Sequence, residues 1–165
     1  MEKNTLDEFY ERYNKELYLY IYSMCRNREI SEDICQETFL KALLSLPSKH
    51  ANPRAWLYLV ARNLYRNLLK KEKLRVSVED EERQFKESAD VIEEIISRET
   101  TRRLYRALQR IDSKKREVLV LQYFAGLSQK EISAIMQLTP ENIRVLSYRG
   151  KRELKNIMEV NDYDI

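Results

Sequence analysis

The sequence predicts an all-α chain of two small helical domains joined by a flexible linker. Three observations carry this prediction. Glycine and proline are scarce, 2 and 3 of 165 residues, too few for the many tight turns of a sandwich or barrel. Apolar residues recur at steps of three and four over most of the chain, the period of a helix with one buried face. That period is lost across residues 72–90. At roughly 100–200 residues per domain, the length allows one domain or two small ones, and the interruption selects two, at 1–71 and 91–165. A 43% hydrophobic content is enough to give each a core.

The first helix is expected over 6–26, with Leu6, Phe9, Tyr10, Tyr13, Leu17, Ile21 and Met24 along its buried face. Ser31 reads as the N-cap of a second helix that runs to 46 and is closed by Pro47. Its core face is Ile34, Cys35, Phe39, Ala42, Leu43 and Leu46. Glu32, Asp33, Gln36 and Glu37 form an acidic, polar patch on the other side. A short loop at 48–51 follows. Asn52 and Pro53 then read as N-cap and first helical residue of a third helix ending near 71. Trp56, Leu57, Val60, Ala61, Leu64 and Leu68 are expected inward, and Tyr58, Arg62, Arg66 and Lys70, four apart, outward, bordered by Asn63 and Asn67.

Beyond the linker the helical period returns with Val91, Ile92, Ile95, Ile96, Leu104, Leu108 and Ile111. A break at Asp112-Ser113 opens a helix through Val118, Leu119 and Tyr123, and Gly126 suits a left-handed position at its end. Ser128 and Glu131 are spaced as a capping box for a helix holding Ile132, Ile135 and Met136. After a turn at Gln137-Leu138, Thr139 and Pro140 repeat the N-cap-plus-proline signal for a last helix to 158. Two helices joined by a short turn, the second longer and basic, are a helix-turn-helix. On the last helix Ile143, Ser147, Gly150, Leu154 and Ile157 share one face; Arg144, Tyr148, Lys151 and Lys155 share another, flanked by Arg149 and Arg152. The small Ser147 and Gly150 invite close approach by a neighbour, at a cost of about 1 kcal/mol in helix propensity for the glycine.

The net charge of +3 is an average over blocks of opposite sign. Residues 1–48 hold 6 basic and 9 acidic groups, and 49–71 hold 6 basic and none acidic. Residues 72–100 hold 5 basic and 10 acidic, and 101–165 hold 13 basic and 8 acidic. Alternation on this scale points to different partners for different surfaces, a polyanion for the two positive blocks. A cationic stripe with aromatics suits melted nucleic acid; a basic helix after a short turn suits a major groove. Cys25 and Cys35 are ten apart and His50 is alone, so no metal-ligand spacing exists. With two glycines there is no phosphate-cradling loop, and no nucleophile–base pair stands out. No cofactor, no metal and no small-molecule substrate are expected, and the chain is not expected to be an enzyme. No run approaches the roughly 20 apolar residues that span a bilayer, and the first ten residues lack an apolar signal core, so a cytoplasmic protein is expected.

The run Ser31-Glu32-Asp33-Ile34-Cys35-Gln36-Glu37-Thr38-Phe39 resembles a segment of bacterial sigma factors. So does the run Asn52-Pro53-Arg54-Ala55-Trp56-Leu57-Tyr58-Leu59-Val60-Ala61-Arg62-Asn63, and 127–154 is similar to their C-terminal helix-turn-helix. Three motifs in this order resemble the extracytoplasmic-function (ECF) group of the sigma-70 family, which keeps regions two and four. The resemblance implies that Asp33, Gln36 and Glu37 dock on the β′ clamp helices of core RNA polymerase, which the chain also meets through the β subunit. It implies that Lys49, Asn52, Arg54, Trp56, Tyr58, Arg62, Asn63 and Arg66 read the promoter −10 element and hold its melted strand. It implies a −35 duplex contact by Arg144, Val145, Tyr148, Arg149 and Arg152, and a linker that passes through the polymerase. It further implies an anti-sigma factor, often membrane-anchored in the family. The chain departs from the family pattern at Asn67, where aspartate is usual, and at Gln137, where glycine is usual. Val145 and Leu146 stand where serine and a basic residue are common, and Ser147 and Gly150 replace a larger apolar residue and alanine.

The alternative is a stand-alone helix-turn-helix transcriptional regulator, which leaves the basic block at 49–71 and the acidic patch idle. A helical adaptor without a DNA role predicts no salt-dependent DNA affinity, whereas a DNA face requires one.

Overall fold

The computed structural model describes residues 3–46, 52–72 and 93–163. The loop residue Lys49 and most of the expected linker lie outside the described residues. The chain divides into two compact units, Met1–Ser88 and Ala89–Ile165. Every regular element described is helical.

In the first unit α1 (Lys3–Cys25), α2 (Arg28–Ser45) and α3 (Pro53–Glu72) pack pairwise on one another. The second half of α1 is the centre: Leu17, Leu19, Tyr20, Ile21 and Tyr22 are all buried. A helix enclosed on several sides cannot keep a polar face there, which is why apolar and aromatic residues run consecutively. Near the start of α1, Phe9 meets Tyr13 and Phe39, and Tyr10 meets Phe39, all edge to face with centroids 4.9–6.0 Å apart.

The N-cap of helix α2 lies four residues earlier than the sequence suggests. Arg26 adopts a left-handed φ of 50° and turns the chain. Asn27, extended, then accepts a hydrogen bond from the Ile30 amide at 3.0 Å and is the N-cap. Ser31 is therefore not a cap. It lies on the buried face, donates its hydroxyl to the Asn27 carbonyl at 2.7 Å and sits 3.2 Å from the Cys25 sulfur. Thr38, also buried, donates to the Ile34 carbonyl at 2.7 Å, so both hydroxyls are satisfied within their own helix.

In the second unit α4 (Glu99–Leu108), α5 (Ser113–Tyr123), α6 (Gln129–Met136) and α7 (Pro140–Tyr163) follow. Helix α5 is the central rod: Val118, Leu119, Val120 and Leu121 are each fully buried. The helix expected from Val91 to Ile111 is divided. One turn at 93–95 is separated from α4 by three non-helical residues. Arg102 stabilises the break by donating to the Ile96 carbonyl and, at 3.2 Å, to the Glu93 carbonyl. Tyr105 and Ala107 are buried beside Leu108 and Ile111, while Leu104 is only half-buried. At the other end of α4, Arg116 donates to the carbonyls of Gln109 and Ile111, both at 3.3 Å.

Candidate nucleic-acid interface

The second unit builds a helix-turn-helix from local hydrogen bonds. Gly126, at φ 64°, turns the chain out of α5. The capping box closes α6: Ser128 Oγ accepts from the Glu131 amide at 3.1 Å and Glu131 accepts from the Ser128 amide at 2.9 Å. Gln137 ends α6 in the left-handed conformation, φ 56° and ψ 43°, the geometry glycine supplies without strain. Ser133 donates its hydroxyl to the Leu138 carbonyl and shortens the turn. Thr139 Oγ1 then accepts from the Asn142 amide at 3.2 Å, capping α7 ahead of Pro140. Gln129 donates to the Pro140 carbonyl at 2.6 Å and ties the start of α6 to that of α7.

Three contacts fix the rotation of α7. Ile143, Ser147 and Gly150 are buried. Ser147 donates to Gln122 Oε1 on α5 at 2.7 Å. Lys115 pairs with Glu153. At Gly150 a Cβ would stand 2.9 Å from Leu119 Cδ1 and 3.4 Å from Lys115 Cβ, so α5 occupies the space a side chain would need. The opposite face therefore points to solvent. Arg144, Val145, Tyr148, Arg149, Lys151, Arg152 and Lys155 are all exposed. Arg152 lies 5.9 Å from the Tyr148 ring centroid. Lys151 lies 5.5 Å from that of Tyr123, itself half exposed. A groove of about 270 Å³ runs beside this face, lined by Gln122, Gln129, Ile132, Ile143, Arg144, Ser147, Tyr148 and Lys151. The sequence reading runs a helix through Tyr123 without assigning it to this surface, and does not single out Gln122. Tyr123 shares the helical spacing of Leu119, but it is the last residue of α5 and is exposed.

The first unit treats its basic helix differently. Asn52 Oδ1 caps α3 by accepting from the Ala55 amide at 3.1 Å. Arg54 turns toward α1, where Nε and Nη2 donate to the two carboxylate oxygens of Glu16 at 2.9 and 3.0 Å. Burial disfavours the Arg54 charge, but the Glu16 hydrogen bonds outweigh it and raise the Arg54 pKa. Tyr58 is fully buried, its ring 5.2 Å from that of Tyr20. This corrects the expectation that Tyr58 heads an outward stripe: it has no surface with which to meet a nucleic acid. Burial, then the nearby Glu16 charge, push the Tyr58 pKa well up, so the phenol stays protonated. The deepest face of α3 is Leu57, Tyr58, Ala61 and Tyr65; Trp56, Val60, Leu64 and Leu68 are half-buried at its margins. Asn63, Arg66, Asn67 and Lys70 are exposed, and Arg62 is half-buried.

On α2 the side chains of Glu32, Asp33, Gln36 and Glu37 are all exposed. The same face continues into Leu40 and Leu44, also exposed, which the sequence reading did not single out.

Residues 9–75 match the model of sigma-70 region 2, and residues 101–154 match that of sigma-70 region 4. Across its length the chain is 30% identical to the ECF RNA polymerase sigma factor SigM of Bacillus subtilis, over 96% of this chain and 99% of that one. The chain belongs to the ECF sigma factors. Its helices are laid out as in solved members of that fold. CnrH, solved in complex with the cytosolic domain of CnrY, matches with a TM-score of 0.65 and 21% identity, covering 96% of this chain and 90% of CnrH. RpoE of Bartonella quintana, solved with the anti-sigma factor NepR, matches with a TM-score of 0.63 and 17% identity, covering 93% of this chain and 98% of RpoE. No helix of this sigma factor, among the described residues, is long and apolar enough to cross a membrane.

Proposed function

We propose that this sigma factor binds core RNA polymerase through α2, opens and holds the −10 element along α3, and reads the −35 element as duplex with α7. The observation that carries the reading is the face of α7. Seven exposed residues, five of them cationic, stand on a helix whose rotation is set by buried contacts on its other side. Phosphate contacts give such a face affinity, and side chains reaching base edges give it sequence preference. Arg144, Val145, Tyr148, Arg149 and Arg152 are the −35 candidates, Val145 as an apolar contact for a thymine methyl. Asp33, Gln36 and Glu37 are the polymerase contacts on the β′ clamp helices, with the negative charge of Asp33 and Glu37 exposed for a basic partner. Trp56, Arg62, Asn63 and Arg66 remain −10 candidates, with Asn52 capping α3; Lys49, also a candidate, lies outside the described residues. Separating strands costs stacking energy, which a basic surface with aromatics offsets.

The chain contributes no bond-making chemistry in this reading; nucleotidyl transfer belongs to the polymerase. It works in the cytoplasm. An anti-sigma factor holds it inactive, a reading supported by the two structural relatives solved with partners of that kind or with a cytosolic partner domain. The deciding experiment reconstitutes the holoenzyme and maps the 5′ ends of its transcripts. The expected result is a shared pair of upstream elements that core polymerase alone does not select. Unchanged start sites would overturn the reading. Arg149→Ala is expected to weaken −35 binding by about 1–3 kcal/mol and relax preference at one base pair.

A further inference from the structure

We propose that Glu16 and Arg54 form a positioning pair that sets the first turn of α3 for capture of the −10 strand. The proposal rests on the reading of α3 as the −10 surface, and it takes Arg54 out of the list of direct DNA contacts. Arg54 is the second residue of α3. Its guanidinium is committed in fork geometry to Glu16, with both side chains largely covered, 30% and 21% exposed. Bidentate pairing of this kind fixes orientation as well as distance. The Tyr13 ring lies against the same guanidinium at 5.7 Å and carries Arg12 at 5.3 Å.

The pair is the first fastening of a longer seam. Tyr58, one turn further along α3, meets Tyr20, and Tyr65 donates to the Met24 carbonyl at 3.4 Å. Partners advance together along both helices, from 16 with 54 to 20 with 58 to 24 with 65, so α1 and α3 run in the same sense. Tyr58 and Tyr65 hold the body of α3 through burial. Glu16 holds its first turn through charge, and that turn carries Asn52, Arg54 and Trp56. A small misplacement of binding groups costs far more in strand capture than in fold.

The test uses holoenzyme reconstituted with wild type, Glu16→Gln, Arg54→Glu and the exchange double variant Glu16→Arg/Arg54→Glu. The probe is a fluorescent single-stranded DNA carrying the −10 element mapped for the wild-type holoenzyme. Assembly with core polymerase is measured alongside. The expected result is a loss of about tenfold or more in strand affinity for each single variant, unchanged assembly, and recovery in the double variant. A direct contact by Arg54 predicts the reverse. Glu16→Gln would then keep or tighten binding and the exchange would not recover it, which overturns the proposal. Loss of assembly in Glu16→Gln also overturns it, because the pair would then serve the fold alone. Failure of wild-type holoenzyme to bind the strand overturns the underlying reading of α3, an outcome distinct from any result with the variants.

Discussion

Helices α3 and α7 are both basic and similar in length, yet they dispose of their charge in opposite ways. Helix α3 turns Arg54 onto Glu16, sinks Tyr58 and Tyr65 against α1, and leaves its exposed cations to the later turns. Among its described side chains, helix α7 buries only Ile143, Ser147 and Gly150 deeply, and it shows a cationic face from Arg144 to Lys155. The cations that do internal work in the second unit sit elsewhere: Arg102 and Arg116 on helix-end carbonyls, Lys115 on Glu153. The same number of basic residues, five on each helix, thus supports a clamped surface in one unit and a displayed surface in the other. On the proposed reading, a helix that holds an irregular single strand gains from being fixed along its seam with α1. A helix that enters a groove needs one face free of its own protein.

The comparison breaks most sharply at the tyrosines. Tyr58→Ala is expected to cost about 3–5 kcal/mol in denaturant unfolding of the first unit, the cost of emptying a large buried site. Tyr148→Ala on α7 is expected to change stability by no more than about 0.5 kcal/mol. Equal effects would refute the contrast. Gly150→Ala tests how tightly α7 is seated. Alanine gains helix propensity but drives its Cβ against Leu119, and overpacking of this kind costs about 1–3 kcal/mol, so a net loss near 1 kcal/mol is expected in thermal unfolding of the second unit. Gln137→Gly acts the other way. Removing a left-handed side chain relieves about 1 kcal/mol, partly offset by added freedom of the unfolded chain, so a small rise in midpoint is expected. An effect seen only at high pH is confined to the first unit. Burial raises the Cys35 thiol from 9.0 to about 12. Between those values the unfolded chain loses a proton that the folded chain keeps, so stability is intact below pH about 9 and falls as pH rises toward about 12. Cys35→Ser should flatten that limb of the pH profile.

Most of the second unit was legible because its signals are local. Ser128 with Glu131, Thr139 with Pro140 and Gly126 each act within about four residues, and each does in the structure what its spacing implied. The first unit hides its logic in long-range pairs. Glu16 and Arg54 are 38 residues apart, and no local pattern joins them. Tyr58 reads as amphipathic, and its burial shows only in tertiary packing, where its ring meets Tyr20 of α1. The start of α2 was misplaced because Asn27 becomes a cap only after Arg26 has turned left-handed, a choice made by the packing of α1 on α2. The division at 96–98 escaped notice for a similar reason: Arg102 caps carbonyls that precede it by six and nine residues.

The contact between Gly150 and Leu119 also sets a rule of exchange for the lineage. The two positions share one volume, so a methyl gained at 150 has to be returned at 119. A chain that acquires alanine at 150 first is destabilised until 119 shrinks, and one that shrinks 119 first carries a cavity until 150 fills. Either order passes through a weaker intermediate. Substitutions at these two positions are therefore expected to travel together, and the double change Gly150→Ala with Leu119→Val should be tolerated better than the sum of its parts.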